Sequence, residues 1–122
     1  MGKIASFNSH AFETVGYAVT ASSAKAFTLE TDALYLIKSI RLTNYSAAGT
    51  TVNIKFYDGG TTTEFWVSKG VPVNVGCSVT PISNTPLVLS GFDGDELRLE
   101  AADASAVEAV ITYMELGRES GL

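Results

Sequence analysis

The stretch from Pro86 to Leu116 constrains the fold more than any other part of the chain. Leu87 and Leu89 lead into Gly91-Phe92-Asp93-Gly94-Asp95, a run of residues that turns select. Glu96-Leu97-Arg98-Leu99-Glu100 then alternates strictly between charged and apolar, the period of a strand with one wet face. A second turn, Ala102-Asp103-Ala104-Ser105, precedes the apolar run Val107 to Leu116. Connections this short predict antiparallel neighbours, because a parallel crossover needs roughly a dozen residues or more. On the last run Val107, Ala109, Ile111 and Tyr113 share one face, and Val110, Met114 and Leu116 supply much of the other. A strand apolar on both sides is covered on both sides, by its own domain or by another subunit.

The remainder repeats the theme. Short β-type runs arrive at roughly the 8–12-residue spacing of a sandwich or barrel. They are Gly16 to Ala21, Ala26 to Glu30, Leu34 to Tyr45, Thr51 to Tyr57, Glu64 to Ser68, Cys77 to Ile82 and Pro86 to Leu89. In Leu34 to Tyr45, the residues Leu34, Leu36, Ile40 and Leu42 fall on one face, but Lys38 interrupts it and Ile37 lies opposite. Either a bulge near Lys38-Ser39 moves the strand across the core, or the strand is buried partly on both sides. Val52, Ile54 and Phe56 alternate cleanly with polar neighbours. Asp58-Gly59-Gly60 has hairpin-turn chemistry through glycine's access to positive φ, and Gly70-Val71-Pro72 is read as ending the next strand. No helical period is sustained anywhere; Ala101 to Glu108 is too short and turn-rich to nucleate a helix. The expected fold is therefore all-β: an antiparallel β-sandwich, jelly-roll or immunoglobulin-like, of about eight short strands. It occupies residues 15–122 and follows an N-terminal arm over 1–14. Ile4, Phe7 and Phe12 make that arm a docking element, onto its own domain or a neighbour.

Composition limits function. The 122 residues fit one domain with a real core. Hydrophobic residues make up 46%, too many for a disordered chain, and charged residues only 17%, low for a free-standing soluble protein. The eight Lys and Arg are scattered and the net charge is −5. That argues against nucleic acid and against an anionic membrane surface as partners. No run approaches the ~20 apolar residues of a membrane span, and no signal-peptide hydrophobic segment opens the chain. Met1 to Ser6 matches the short myristoylation pattern, which is brief enough to occur by chance.

The residues of chemistry are sparse. His10 is the single histidine and Cys77 the single cysteine, so neither an intramolecular disulfide nor a His/Cys zinc set can be assembled. No nucleophile-elbow motif surrounds a serine or Cys77, and Cys77 reads as a small buried hydrophobe. Asp93, Asp95 and Glu96 could offer oxygen ligands to calcium, but their spacing is not that of an EF-hand, and a plain hairpin turn accounts for them. Asn44-Tyr45-Ser46 is a formal glycosylation sequon without a secretory context. Tyr17, Tyr35, Tyr45, Tyr57, Phe65 and Trp66 are either a sugar-binding platform or ordinary strand aromatics. No catalytic residue, cofactor or metal is assigned, and no enzyme activity is expected.

The order Ser39-Ile40-Arg41-Leu42-Thr43-Asn44, Thr51-Val52-Asn53-Ile54, Val71-Pro72-Val73 with Gly76, Pro86-Leu87-Val88-Leu89, Gly94-Asp95-Glu96-Leu97 and the terminal strand ending Met114-Glu115-Leu116 resembles small β-sandwich virion proteins of tailed bacteriophages. The resemblance spans Tyr17 to Leu116 as a strand-and-turn pattern and leaves the arm uncovered. It implies a non-enzymatic structural protein on the surface of the virion. The first reading is a capsid decoration or cement protein, partnered by the major capsid protein or other virion proteins and often trimeric. Alternatives are a tail, baseplate or fibre accessory protein with a host-binding role, or a carbohydrate-binding module. The residues expected at the interface are Ile4, Phe7 and Phe12 of the arm, with Val110, Met114 and Leu116 of the last strand.

Overall fold

The computed structural model describes residues 12–83 and 85–117. They form nine strands: β1 (Phe12–Ala18), β2 (Ala24–Lys25), β3 (Ala33–Asn44), β4 (Thr50–Asp58), β5 (Thr63–Val73), β6 (Ser78–Ile82), β7 (Leu87–Ser90), β8 (Glu96–Ala101) and β9 (Val107–Gly117). All pairings are antiparallel. One sheet has the order β1-β9-β3-β6, with β7 pairing further along the same edge of β3, and the other has the order β2-β8-β4-β5. The chain therefore changes sheet at nearly every connection, and the first and last strands pair with each other. Two four-stranded paths interleaved in this way make a jelly roll, the first of the two expected sandwich topologies.

The core lies between the sheets. The five-stranded sheet contributes Tyr35, Ile37, Ile40, Leu42, Leu89, Val107, Ala109 and Ile111, and the four-stranded sheet Val52, Ile54, Val73, Leu97, Leu99 and Ala101. The bulge in β3 is real: its register against β9 shifts between Ile37 and Ser39. The inward residues are Ala33, Tyr35 and Ile37 before it, and Ile40, Leu42 and Asn44 after it. Leu34 and Leu36 are thus not on the face of Ile40 and Leu42, as expected. An extra residue in one strand reverses the phase of everything on one side of it.

Other boundaries differ for local reasons. The last three residues assigned to the arm, Phe12 to Thr14, already pair with Met114, Tyr113 and Thr112, so the sheet begins earlier than their polar neighbours indicated. The expected run Ala26 to Glu30 forms no strand, and the two-residue β2 lies just before it. In contrast, β5 continues through Gly70 and Pro72, because it is an edge strand and its register against β4 shifts twice. Gly70 takes a positive φ of 66° there, and its N–H donates to the Asn53 side chain at 2.8 Å.

The Gly91–Asp95 turn is not a hairpin. It carries the chain from β7 in one sheet to β8 in the other. Asp95 is buried at 8% exposure, and its two oxygens accept the Gly59 and Ser90 N–H groups at 3.0 and 2.9 Å. This buried carboxylate ties the corner to the β4–β5 turn. A Cβ on Gly59 would run into the Asp93 carbonyl, and one on Gly91 into the Glu30 carbonyl. Close approach of backbones, rather than positive φ, is what fixes glycine at position 59; the positive φ of that hairpin belongs to Thr62.

Candidate interaction surface

The outward residues of the five-stranded sheet are set by register. Phe12 pairs with Met114, Met114 with Leu36 and Leu36 with Val88, so four apolar side chains stand side by side across β1, β9, β3 and β7. Leu116 and Leu34 form the next rung. Three of its members are open to solvent, Val88 at 57%, Phe12 at 48% and Leu34 at 38%, and Leu36, Met114 and Leu116 are half-buried. Lys38 adjoins it, its ammonium 5.0 Å from the centroid of the Phe12 ring. Towards the other end of the sheet the face becomes small and polar. Thr14 lies beside Thr112, and Val110, 43% exposed, lies between Gly16 and Arg41.

The four-stranded sheet presents the opposite character. Lys55 Nζ lies 3.4 Å from Glu64 and 3.2 Å from Glu100, while Arg98 lies 3.0 Å from Glu64 and 2.9 Å from Glu96. Partial burial alone would push the Glu64 carboxyl up, but hydrogen bonds from Arg98, Ser23 and Lys55 outweigh it and hold it below the usual carboxylate range. For Glu100 the hydrogen bond from Asn53 dominates, and its pKa is also lowered. Trp66 and Tyr57 stand on this face with cations beside their rings, Trp66 remaining 53% exposed. Lys55 and Lys69 lie 4.7 and 5.1 Å from the Trp66 centroid, and Arg98 lies 3.9 Å from that of Tyr57.

Four of the residues expected at an interface, Phe12, Val110, Met114 and Leu116, thus lie on one outward face of the five-stranded sheet. Ile4 and Phe7, like His10, fall outside the described residues. Leu34, Leu36 and Val88 belong to the same stripe and were missed. The signal was present in Tyr35 and Ile37, which fit a core face as well as the two leucines do, but only the bulge chooses between the phases. The six aromatics of the proposed sugar platform do not come together. Tyr35 is buried, packed near Phe27 and Tyr113 with centroid distances of 6.0 and 5.7 Å, and Tyr17 packs against the core. Cys77 is exposed rather than buried, because it closes a turn in which its N–H donates to the Asn74 carbonyl at 3.0 Å. Asn44 is fully buried and its amide donates to Ala48 and Val73 carbonyls, so the sequon nitrogen is committed to the fold. Among the described residues no group of three or more His, Cys, Asp or Glu side chains is placed to hold a metal ion.

No protein-family model matches this chain, and no curated protein matches it by sequence. Among solved structures it is similar to a chain of the Bacillus endospore appendages, described as disulfide-linked pili. The identity is 21% and the TM-score 0.50, over 85% of this chain and 83% of that one. It also aligns with a chain of the T13 infectious bursal disease virus particle at 10% identity and a TM-score of 0.49, covering 88% of this chain but only 31% of the viral one. The CBM22-1 xylan-binding domain of Paenibacillus barcinonensis Xyn10C aligns at 13% identity and a TM-score of 0.41, over 79% of this chain and 63% of that domain. At these identities the likeness is one of fold.

Proposed function

We propose that this chain is a non-enzymatic structural protein of a virion surface, and specifically a capsid decoration protein of a tailed bacteriophage. The carrying observation is the contrast between the two outer faces. One is a network of ion pairs suited to water, and the other holds the apolar stripe of Phe12, Leu34, Leu36, Val88, Met114 and Leu116, open to solvent at Phe12, Leu34 and Val88. Exposed apolar stripes of this kind mark surfaces that are covered in the assembled state. The strand-and-turn resemblance to phage virion proteins supports the reading. So does a fold that, in the Bacillus appendage chain, serves in pili. Mechanistically, the stripe packs against a capsid subunit, and the many copies on a particle sum modest contacts.

The test is occupancy on phage heads. Purified protein is added to heads lacking it, and the heads are separated on a density gradient. A Leu34→Lys/Val88→Lys double variant is expected to keep its melting temperature yet lose at least about tenfold in occupancy, the loss that roughly 1.4 kcal/mol of contact energy produces. Unchanged occupancy, or protein found at the tail alone in images of intact particles, overturns the decoration reading.

A further inference from the structure

We propose that β1 is a pairing edge through which two copies of this chain join about a two-fold axis, extending the five-stranded sheet from one copy into the next. This does not rest on the virion reading. A jelly roll leaves sheet edges, and natural edges are protected by brevity, proline, lysine or bulges. Three of the edges here are protected. β2 is two residues long. β5 carries Lys69, Gly70 and Pro72 and two shifts of register. The edge beyond β3 is divided between the short β6, which contains Pro81, and the short β7, which Pro86 precedes. β1 has none of these devices. It is seven residues long, without proline, lysine or arginine, and its register against β9 is unbroken from Phe12–Met114 to Ala18–Glu108. No strand pairs with its other side among the described residues.

The sequence of β1 also fits itself. In an antiparallel pair centred on Val15, Phe12 faces Ala18 of the second copy, Glu13 faces Tyr17 and Thr14 faces Gly16. Each large outward residue meets a small one. Phe12, 48% exposed, is brought to a hollow of about 260 Å³ lined by Gly16, Tyr17, Ala18, Glu108, Ala109 and Val110. Glu13, the single charge of the strand, faces a tyrosine hydroxyl and not its own copy, which avoids the repulsion of like charges directly opposite. Isologous contacts of this kind close as dimers.

The experiment is sedimentation of the full chain over a wide concentration range. The expected species is a dimer of the 12.9 kDa chain. Ala18→Lys places a lysine where Phe12 of the second copy must sit. Because Ala18 is exposed, this variant is expected to keep the melting temperature and sediment as a monomer. In a Cys77→Ser background, Val15→Cys is expected to form a disulfide-linked dimer under mild oxidation, while Thr51→Cys, on the other sheet, does not. A full chain that stays monomeric, as it would if its own residues 1–11 covered the edge, overturns the proposal. So does a trimer, or a dimer that survives Ala18→Lys and gives no Val15→Cys cross-link.

Discussion

Asp95 shows how much a single side chain carries in this fold. Both of its oxygens accept backbone N–H groups, one from Ser90 at the end of β7 and one from Gly59 in the β4–β5 turn. Removing a buried charged acceptor leaves two donors unsatisfied, so Asp95→Ala is expected to cost about 2–4 kcal/mol in urea denaturation. Asp93→Ala, which keeps the backbone N–H that donates to the Ser90 hydroxyl, is expected to cost less than about 0.5 kcal/mol. Two other carboxylates give opposite pH responses. Burial, reinforced by the nearby Glu13 and Glu30, raises the pKa of Glu115. A raised folded-state value means that the stability linked to this group is present in acid and is lost as pH rises through that value. Glu115→Gln is therefore expected to raise the urea midpoint at neutral pH and to give no such gain in acid. Glu64 is lowered, so its contribution is present at neutral pH and lost as pH falls through its folded value. Glu64→Gln is expected to lower the midpoint at neutral pH and to become silent in acid. The turn residues at 91–95 were plain in the sequence, but Asp95's role was not, because Gly59 lies far from it along the chain and only folding makes them neighbours.

At the scale of the element, β3 decides which side chains the protein hides. Its alternation is regular on each side of Lys38, and both phases offer a convincing apolar face. The bulge selects Tyr35 and Ile37 for the core and turns Leu34 and Leu36 outward. Ile37→Ala is accordingly expected to cost about 2–5 kcal/mol, the range for truncating a fully buried isoleucine. Leu34→Ala, at 38% exposure, is expected to cost less than about 1 kcal/mol. Equal losses at the two positions would contradict the phase. β8 and β9 were easier to read. Leu97 and Leu99 are buried and Glu96, Arg98 and Glu100 face outward, as their strict alternation required, and Val107, Ala109 and Ile111 are buried with Val110 outside. Each of these strands keeps one phase throughout, so period alone sufficed.

On the scale of the whole molecule, the sandwich is polarised between its two outer faces, and function is expected to follow that polarity. Trp66→Ala, on the ion-paired face, is expected to leave occupancy on heads unchanged, whereas Val88→Lys alone reduces it in the same gradient assay. The reverse result would move the working surface to the four-stranded sheet. The sequence by itself determined that this chain is all-β, antiparallel and a sandwich, since period-two patterning and short turns are local properties of the chain. It also determined that the last strand has apolar groups on both faces. Which strands share a sheet was decided only by the tertiary structure. A tight Gly- and Asp-rich turn serves a hairpin and a sheet-to-sheet corner equally well, so the interleaving of β1-β9-β3-β6 with β2-β8-β4-β5 leaves no local mark. The exposed stripe was decided the same way. Phe12, Leu36, Val88 and Met114 come from four separate segments, and cross-strand register, a property of the folded sheet, sets them side by side.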